Sequence, residues 1–387
     1  MSAGAADKPL IFLVAGEASG DALGGRLMQA LTELSGGGLR FDGVGGAAMQ
    51  AAGLVSRFPL EELSLMGLAE VLPHLPRLAR RLGELEQAIR QRRPAALVTI
   101  DAPSFGLRLQ RRLGGLGIPR IHYVAPQVWA WRQGRAKKLA RSLDHLLALL
   151  PFEPPFFARY GLDCRYVGHP VIESGAGQGD GAAFRATHGI GTAKLLAVLP
   201  GSRRGEIMRH SAVFDATIRL LQARYPDLRV VLPTVPHIAQ RVRLETARWP
   251  VPPLIIESAT EKYAAFAAAD AALAASGTVA LELGLSDTPM VIAYRFNPVT
   301  AAIGRRLVKT PHVSLVNLLC ERRLVPEMIQ EKCRPDLLAA ELDSLLAGPA
   351  AAIQREGFAA LRQRMGADGE SPSRRAARAV LEIIQAK

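Results

Sequence analysis

Ala275-Ser276-Gly277-Thr278-Val279-Ala280-Leu281-Glu282-Leu283-Gly284 is the stretch from which the rest of the chain can be read. Ala271 to Ala274, just before it, reads as a short buried strand, and Val279 to Leu285 as a helix. Ser276 is a residue type that caps helices, and Gly277 lets a ligand come close to the backbone. A helix begun in this way aims unpaired N–H groups and a partial positive charge past the strand ends, which suits a phosphate. Glu282 follows Thr278 by four residues, so the two share one helical face. A carboxylate there accepts two hydrogen bonds from a vicinal diol such as a ribose. The competing reading is a solvated charge or a capping-box acid. A capping box, however, needs its acid three residues after the cap, where Val279 stands. Ser276, Gly277, Thr278 and Glu282 are therefore candidate nucleotide-binding residues.

Composition narrows the class. A chain of 387 residues, 49% hydrophobic and 21% charged, is globular and long enough for two domains. Three cysteines without CxxC spacing argue for a reducing compartment and against a disulfide framework or a zinc site. The eight histidines form no HxxxH or HExxH pair, so neither metal nor cofactor is expected. Leu10 to Ala15 is too short for the apolar core of a signal peptide, and no run reaches the roughly 18 apolar residues of a spanning helix. The net charge of +13 favours anionic partners. With 5% aromatics and no recognised binding motif, nucleic acid is disfavoured against a phosphorylated substrate or an anionic membrane face.

Strands alternate with helices from end to end, the signature of parallel α/β sheets. In the first half, strands are expected at Pro9 to Ala15, Arg40 to Asp42, Ala95 to Ile100, Pro119 to Val124, Leu143 to Leu150 and Arg165 to Val167. The loop Gly16-Glu17-Ala18-Ser19-Gly20-Asp21 is not a GxGxxG fingerprint, so a dinucleotide is not indicated. Ser174 to Gly181, rich in glycine and free of apolar anchors, reads as a linker. The second half restarts with strands at Lys194 to Leu199, Arg229 to Leu232, Leu254 to Glu257, Ala271 to Ala274 and Met290 to Tyr294. The expected fold is two Rossmann-like, doubly wound parallel-sheet domains facing a cleft, at 1–173 and 182–348, with a helical tail at 349–387.

Several of these segments resemble lipid-A-disaccharide synthase, an inverting glycosyltransferase family of GT-B fold. They are Ala15 to Asp21, Asp101-Ala102-Pro103-Ser104-Phe105, Ala125-Pro126-Gln127-Val128-Trp129-Ala130-Trp131, Gly168-His169-Pro170, Leu199 to Arg203 and Ser276 to Glu282. The match runs in order over nearly the whole chain. Ser104-Phe105-Gly106 departs from the Asp-Phe-Asn expected there, and Asp101 is unaffected. The resemblance implies transfer of 2,3-diacylglucosamine from UDP to the 6-hydroxyl of 2,3-diacylglucosamine 1-phosphate (lipid X). It also implies a cytoplasmic protein held peripherally at the inner membrane, and C-terminal helices that return to the first domain or are exchanged in a homodimer.

The residues accommodate that chemistry. A departing diphosphate needs fixed positive charge where no carboxylate cluster offers a Mg²⁺ site, and Arg203, after Gly201 and Ser202, can supply it. Asn317, polar in an apolar run, either orients the nucleotide or is a satisfied buried amide. Asp101, at a strand's carboxyl end, is either the base for the acceptor hydroxyl or a helix cap; the family position selects the base. Glu17, Ser19 and Asp21 stand on the neighbouring loop to orient the acceptor, while His122 and His169 read as structural. Leu65, Met66, Leu68, Val71 and Leu72, followed by Arg77, Arg80 and Arg81, form an apolar patch with a basic rim. With Trp129 and Trp131 beside a second basic helix, it suits an interfacial membrane contact. The rivals are a UDP-N-acetylglucosamine 2-epimerase of the same fold, another UDP-sugar enzyme, and a non-catalytic basic module.

Overall fold

The computed structural model describes residues 8–63, 72–131, 133–297, 301 and 310–386. The chain divides into two compact units, Met1–Pro170 with Gly369–Lys387, and Val171–Asp368.

The first unit is built on six parallel strands: β1 (Leu10–Ala15), β2 (Arg40–Val44), β3 (Ala96–Ile100), β4 (Arg120–Tyr123), β5 (His145–Ala148) and β6 (Asp163–Tyr166). Their order across the sheet is β2-β1-β3-β4-β5-β6. The central strands, LIFLVA and ALVTI, are apolar at almost every position because both faces are covered. Alternation sorts their side chains. Ile11, Leu13 and Ala15 pack with the helices Ala18–Leu34 and Pro372–Gln385, while Phe12 and Val14 pack on the other face with Leu75–Arg92 and Pro103–Arg112. The C-terminal helix Pro372–Gln385 buries Ala376, Ala377, Val380 and Ile383 in this core. Arg374 to Glu33 at 2.8 Å and Arg165 to Glu382 at 3.0 Å pin its outer face.

The second unit carries β7 (Leu195–Leu199), β8 (Arg229–Pro233), β9 (Leu254–Ile256), β10 (Ala271–Ala274), β11 (Met290–Tyr294) and β12 (Glu327–Ile329). The order β12-β11-β10-β7-β8-β9 is doubly wound about its first strand. β10 and β11 run over the residues expected from sequence; β12, three residues long, was not anticipated. The glycine-rich segment expected as a linker lies inside this unit. A Cβ on Gly179 would come within 2.1 Å of the Tyr263 carbonyl, and the Gly177 N–H donates to Ser286 Oγ at 3.2 Å. Its glycines allow close packing on the helix Ala259–Ala268 instead of supplying slack. Asp180 then caps the helix Gly181–Thr187, accepting from the Ala183 N–H at 2.9 Å.

In each sheet one pair of adjacent strands sends its connections opposite ways: β1 and β3 in the first, β7 and β10 in the second. Ligands of open α/β sheets bind beyond the strand ends at such a switch point. Leu65, Met66, Leu68 and Val71 lie outside the described residues, as do Arg132 and the side chains of Leu72 and Trp131.

Candidate functional site

Two sets of predicted residues gather at the two switch points. At the end of β3, Asp101 and Ala102 both adopt left-handed backbone, with φ of 53° and 40°. Such a conformation costs roughly 1–3 kcal/mol at a residue other than glycine. The preceding loop is shaped to it: a Cβ on Gly16 would sit 2.1 Å from that of Ala102, so only glycine fits. Asp101 Oδ2 accepts from Ser19 Oγ at 2.7 Å, and Oδ1 from the Ala102 N–H at 2.9 Å. The helix Pro103–Arg112 has Ala102 at its N-cap and no side-chain cap, so the capping role open to Asp101 is not the one it plays. Glu17 lines a cavity beside the same turn.

Beneath Asp101 lies a buried polar layer. His122 Nδ1 is 2.7 Å from Thr99 Oγ1, which also accepts from Gln110 Nε2 at 3.0 Å. His122 is fully buried and its imidazole is neutral. Burial holds its pKa down at about 4, against the pull of Asp101. His169 is likewise buried and depressed to about 4. Both histidines are buried in the first unit.

Asp21 is not available to an acceptor. Its Oδ1 accepts from the N–H groups of Gly46 (2.7 Å) and Met49 (3.0 Å), and its Oδ2 from Ala48 (2.9 Å). From the first turn of the helix Ala18–Leu34 it caps the helix Ala47–Ala51, a long-range pairing that local sequence does not reveal.

In the second unit, β7 and β10 lie side by side and the Ala275 N–H donates to Leu199 O at 2.8 Å. The loops Gly201 to Arg203 and Ser276 to Thr278 therefore emerge together. Gly201 has φ of 124°, and a Cβ there would meet Glu206 Cβ at 2.5 Å. Glu206 Oε2 accepts from the N–H groups of Ser202 (3.0 Å) and Arg203 (3.3 Å), and its Oε1 from Tyr294 Oη at 3.0 Å. These two amides are thus engaged within the loop. The Arg203 side chain is 69% exposed, with Glu206 3.6 Å away, and is the cation this loop offers. His210 fastens the loop. Its Nε2 accepts from the Arg295 N–H at 3.1 Å, so Nδ1 carries the proton donated to Pro200 O at 2.8 Å.

Ser276 does not cap the following helix. Val279–Leu285 has Thr278 at its N-cap, in helical conformation and without a side-chain bond. Gly277 faces open space, with nothing within 4 Å of where a Cβ would be. Glu282 is met by a residue that sequence did not single out: Lys262 Nζ donates to its Oε2 at 2.9 Å. Asn317 belongs to the fold. Its Oδ1 accepts from the N–H groups of Leu324 (2.8 Å) and Val325 (2.9 Å), and its Nδ2 donates to Val325 O and Glu327 Oε1, both at 2.9 Å. Every polar position of this buried amide is filled, which is the structural alternative.

The basic rim also needs correction. Arg81 is held by Glu62 and Glu84, each at 2.8 Å, and the Arg77 guanidinium lies 3.1 Å from His74 Nδ1. Trp129 is buried, its Nε1–H donating to Glu153 Oε1 at 3.0 Å, so it packs in the first unit instead of facing a membrane. Among the described residues no cluster of His, Cys, Asp or Glu has the makings of a metal site. No helix of theirs is long and apolar enough to cross a membrane.

Comparison with known proteins adds an independent line. The family model described as lipid-A-disaccharide synthetase matches residues 11–381. A lipid-A-disaccharide synthase of Rhodospirillum centenum is 54% identical over 382 residues, 97% of this chain and 95% of its own. Among solved structures, a kitacinnamycin glycotransferase superposes with a TM-score of 0.63 at 18% identity, over 97% of this chain and 99% of its own. A UDP-N-acetylglucosamine 2-epimerase of Neisseria meningitidis bound to UDP-N-acetylglucosamine gives 0.61 at 10% identity, over 98% and 100%. At such identities the two structures bear on the fold alone.

Proposed function

The chain belongs to the lipid-A-disaccharide synthase family, and from that premise we propose how its residues divide the reaction. It is a glycosyltransferase of lipid A biosynthesis that uses a UDP-sugar. Membership in the family also decides against the epimerase that shares the fold. In our reading the donor is UDP-2,3-diacylglucosamine, and it binds at the β7/β10 switch point. Glu282, held by Lys262, accepts from the ribose hydroxyls, and the backbone at Gly277 leaves room for the phosphates. The acceptor, 2,3-diacylglucosamine 1-phosphate, meets the first unit, where Asp101 takes the proton of its 6-hydroxyl.

The oxygen then attacks the anomeric carbon as the bond from that carbon to the diphosphate oxygen breaks. UDP leaves with the bonding electron pair, its growing charge balanced by Arg203. Attack opposite the leaving group inverts the anomeric centre and gives the β-1,6 disaccharide 1-phosphate. The observation that carries the assignment of the base is the strained Asp101–Ala102 backbone at a switch point. The chain spends stability there to aim one carboxylate, with Ser19 orienting it. Contact with an anionic membrane face and exchange of the helix Pro372–Gln385 in a homodimer belong to the same reading. The +13 charge supports the membrane contact; the helix packs on its own chain's first sheet, and a homodimer would exchange that same packing between two copies.

Asp101→Asn tests the base. Asparagine tolerates left-handed backbone and keeps one acceptor oxygen, so the fold is expected to persist. The rate of disaccharide formation from radiolabelled donor should fall about 10²- to 10⁴-fold. A folded variant with wild-type kcat would remove Asp101 from the chemistry.

A further inference from the structure

Beside the Asp101 turn the first unit contains a cavity of about 870 Å³ that none of the roles above uses. Its size lies within the roughly 300–1,000 Å³ typical of ligand sites. Two helices face each other across it. Leu75, Leu78 and Leu82 of Leu75–Arg92, spaced three and four apart, make one wall apolar. Arg108 and Arg111 of Pro103–Arg112 make the other wall cationic, and Ala102 and Glu17 stand at the end nearest Asp101.

Two features of these walls are unmatched among the described residues. Leu75 is left 41% exposed. Arg108 and Arg111 make no side-chain hydrogen bond or ion pair with the described residues, whereas nearby Arg81, Arg90 and Arg112 are each matched to a glutamate. A polar sugar alone would leave the leucine wall in water, and a neutral hydrocarbon would leave the arginines unanswered. An anionic amphiphile satisfies both. The helical rise puts Arg108 and Arg111 about 7 and 12 Å along the axis from Pro103, so an anionic group near the Asp101 turn comes within reach of the first.

We propose that this groove seats one fatty-acyl chain of the phosphorylated acceptor against the leucines, with its phosphate on Arg108 and Arg111. It thereby selects acceptors by chain length and by phosphate. The proposal rests on the reading of the first unit as the acceptor side.

The test uses the full chain and two variants. Leu78→Trp fills the groove from its apolar wall. Arg108→Gln/Arg111→Gln changes only exposed side chains and guards against a folding artefact in the first. Titration calorimetry with dodecyl phosphate and dodecanol, both kept below micelle formation, reads binding apart from turnover. Wild type should prefer the phosphate. The arginine variant should lose about tenfold in affinity for dodecyl phosphate and nothing for dodecanol. Leu78→Trp should weaken both by about tenfold, the equivalent of roughly two methylenes left in water. In the disaccharide assay it should also favour shorter-chain acceptors, with KM for the UDP-sugar unchanged.

Unchanged amphiphile binding in both variants, or a chain-length profile parallel to wild type, overturns the proposal. Failure of the underlying reading looks different. If the groove binds as expected while Asp101→Asn turns over normally, the first unit is not the source of the base. If Asp101→Asn is inactive and no amphiphile binds, the groove alone is refuted.

Discussion

Lys262→Met tests whether Glu282 is a ribose contact or a buried ion-pair partner. The pair is tight, 2.9 Å, with side chains 26% and 18% exposed, and the ammonium lies 4.4 Å from the Tyr263 ring centre. Burial lowers the lysine pKa, but the Glu282 carboxylate together with Tyr263 more than offsets this, and the net shift is upward. Exposed pairs contribute about 0–1 kcal/mol, and breaking a fully buried pair costs about 3–5 kcal/mol. A half-buried pair belongs between them, near 1–2 kcal/mol, or a factor of about 5–30 in an equilibrium. Methionine keeps the stem over Tyr263 and removes only the charge. Calorimetric titration with UDP and with 2′,3′-dideoxy-UDP then separates the readings. Wild type should prefer UDP; Glu282→Gln and Lys262→Met should both erase the preference, and Lys262→Arg should keep most of it. Equal losses for both ligands in Lys262→Met would make the lysine purely structural. No preference in wild type would remove Glu282 from the ribose.

Three further outcomes follow from the same contacts. Arg203→Ala should weaken UDP by about 10- to 150-fold, the range of a charge-assisted contact, and leave uridine binding and Tm unchanged. A loss shared by uridine would refute a diphosphate contact. Asn317→Ala strands the Leu324 and Val325 N–H groups and should cost about 2–4 kcal/mol of stability, with normal UDP affinity per folded molecule. Loss of affinity without loss of Tm would restore the nucleotide role. Burial pushes Glu153 up to about 7 from 4.5, so its contribution to stability is complete below 4.5 and is lost as pH rises through 7. His122 and His169, lowered to about 4 from 6.5, contribute above 6.5 and lose it as pH falls through 4. Glu153→Gln removes the opposing slope, so Tm should fall more steeply from pH 6.5 to 5 than in wild type; parallel curves would refute it.

What sequence disclosed and what it withheld follow from the range of the interactions. β10 was legible because four apolar residues precede a glycine turn, and β1 because six consecutive buried positions admit nothing polar. β12 has three residues, Glu327 among them, and exists because β11 offers it a free edge. Lys262 is 20 residues from Glu282 in sequence. Nothing local distinguishes it from a surface lysine; only the fold of the second unit brings the two side chains together. The partners of Asp21 and Asn317 are hidden from local sequence for the same reason. A polar residue in an apolar context signals an obligatory partner, and sequence does not say whether that partner is a ligand or a distant stretch of backbone. The Asp21 oxygens are met by the N–H groups of Gly46, Ala48 and Met49; the Asn317 oxygen is met by those of Leu324 and Val325, and its amino group by Val325 O and Glu327.

The distinction supplies a criterion for the remaining polar candidates. A buried polar side chain whose every lone pair and proton is satisfied within the chain has its role explained by folding. Asp101 does not meet that description. It accepts one hydroxyl from Ser19 and its neighbour's N–H, caps no helix, and occupies left-handed backbone beside a second left-handed residue. A carboxylate has about four acceptor sites, so capacity remains on both oxygens. Relaxing either residue to ordinary backbone would relieve roughly 1–3 kcal/mol and swing the carboxylate off the switch point. Gly16, which leaves room for Ala102 and nothing larger, keeps that relaxation from being an isolated local change. Strain kept in place by a neighbouring loop, with acceptor capacity to spare, is what separates Asp101 from Asp21, which sits in the first turn of the helix Ala18–Leu34 with both oxygens engaged, and it is why our proposal gives the proton to Asp101.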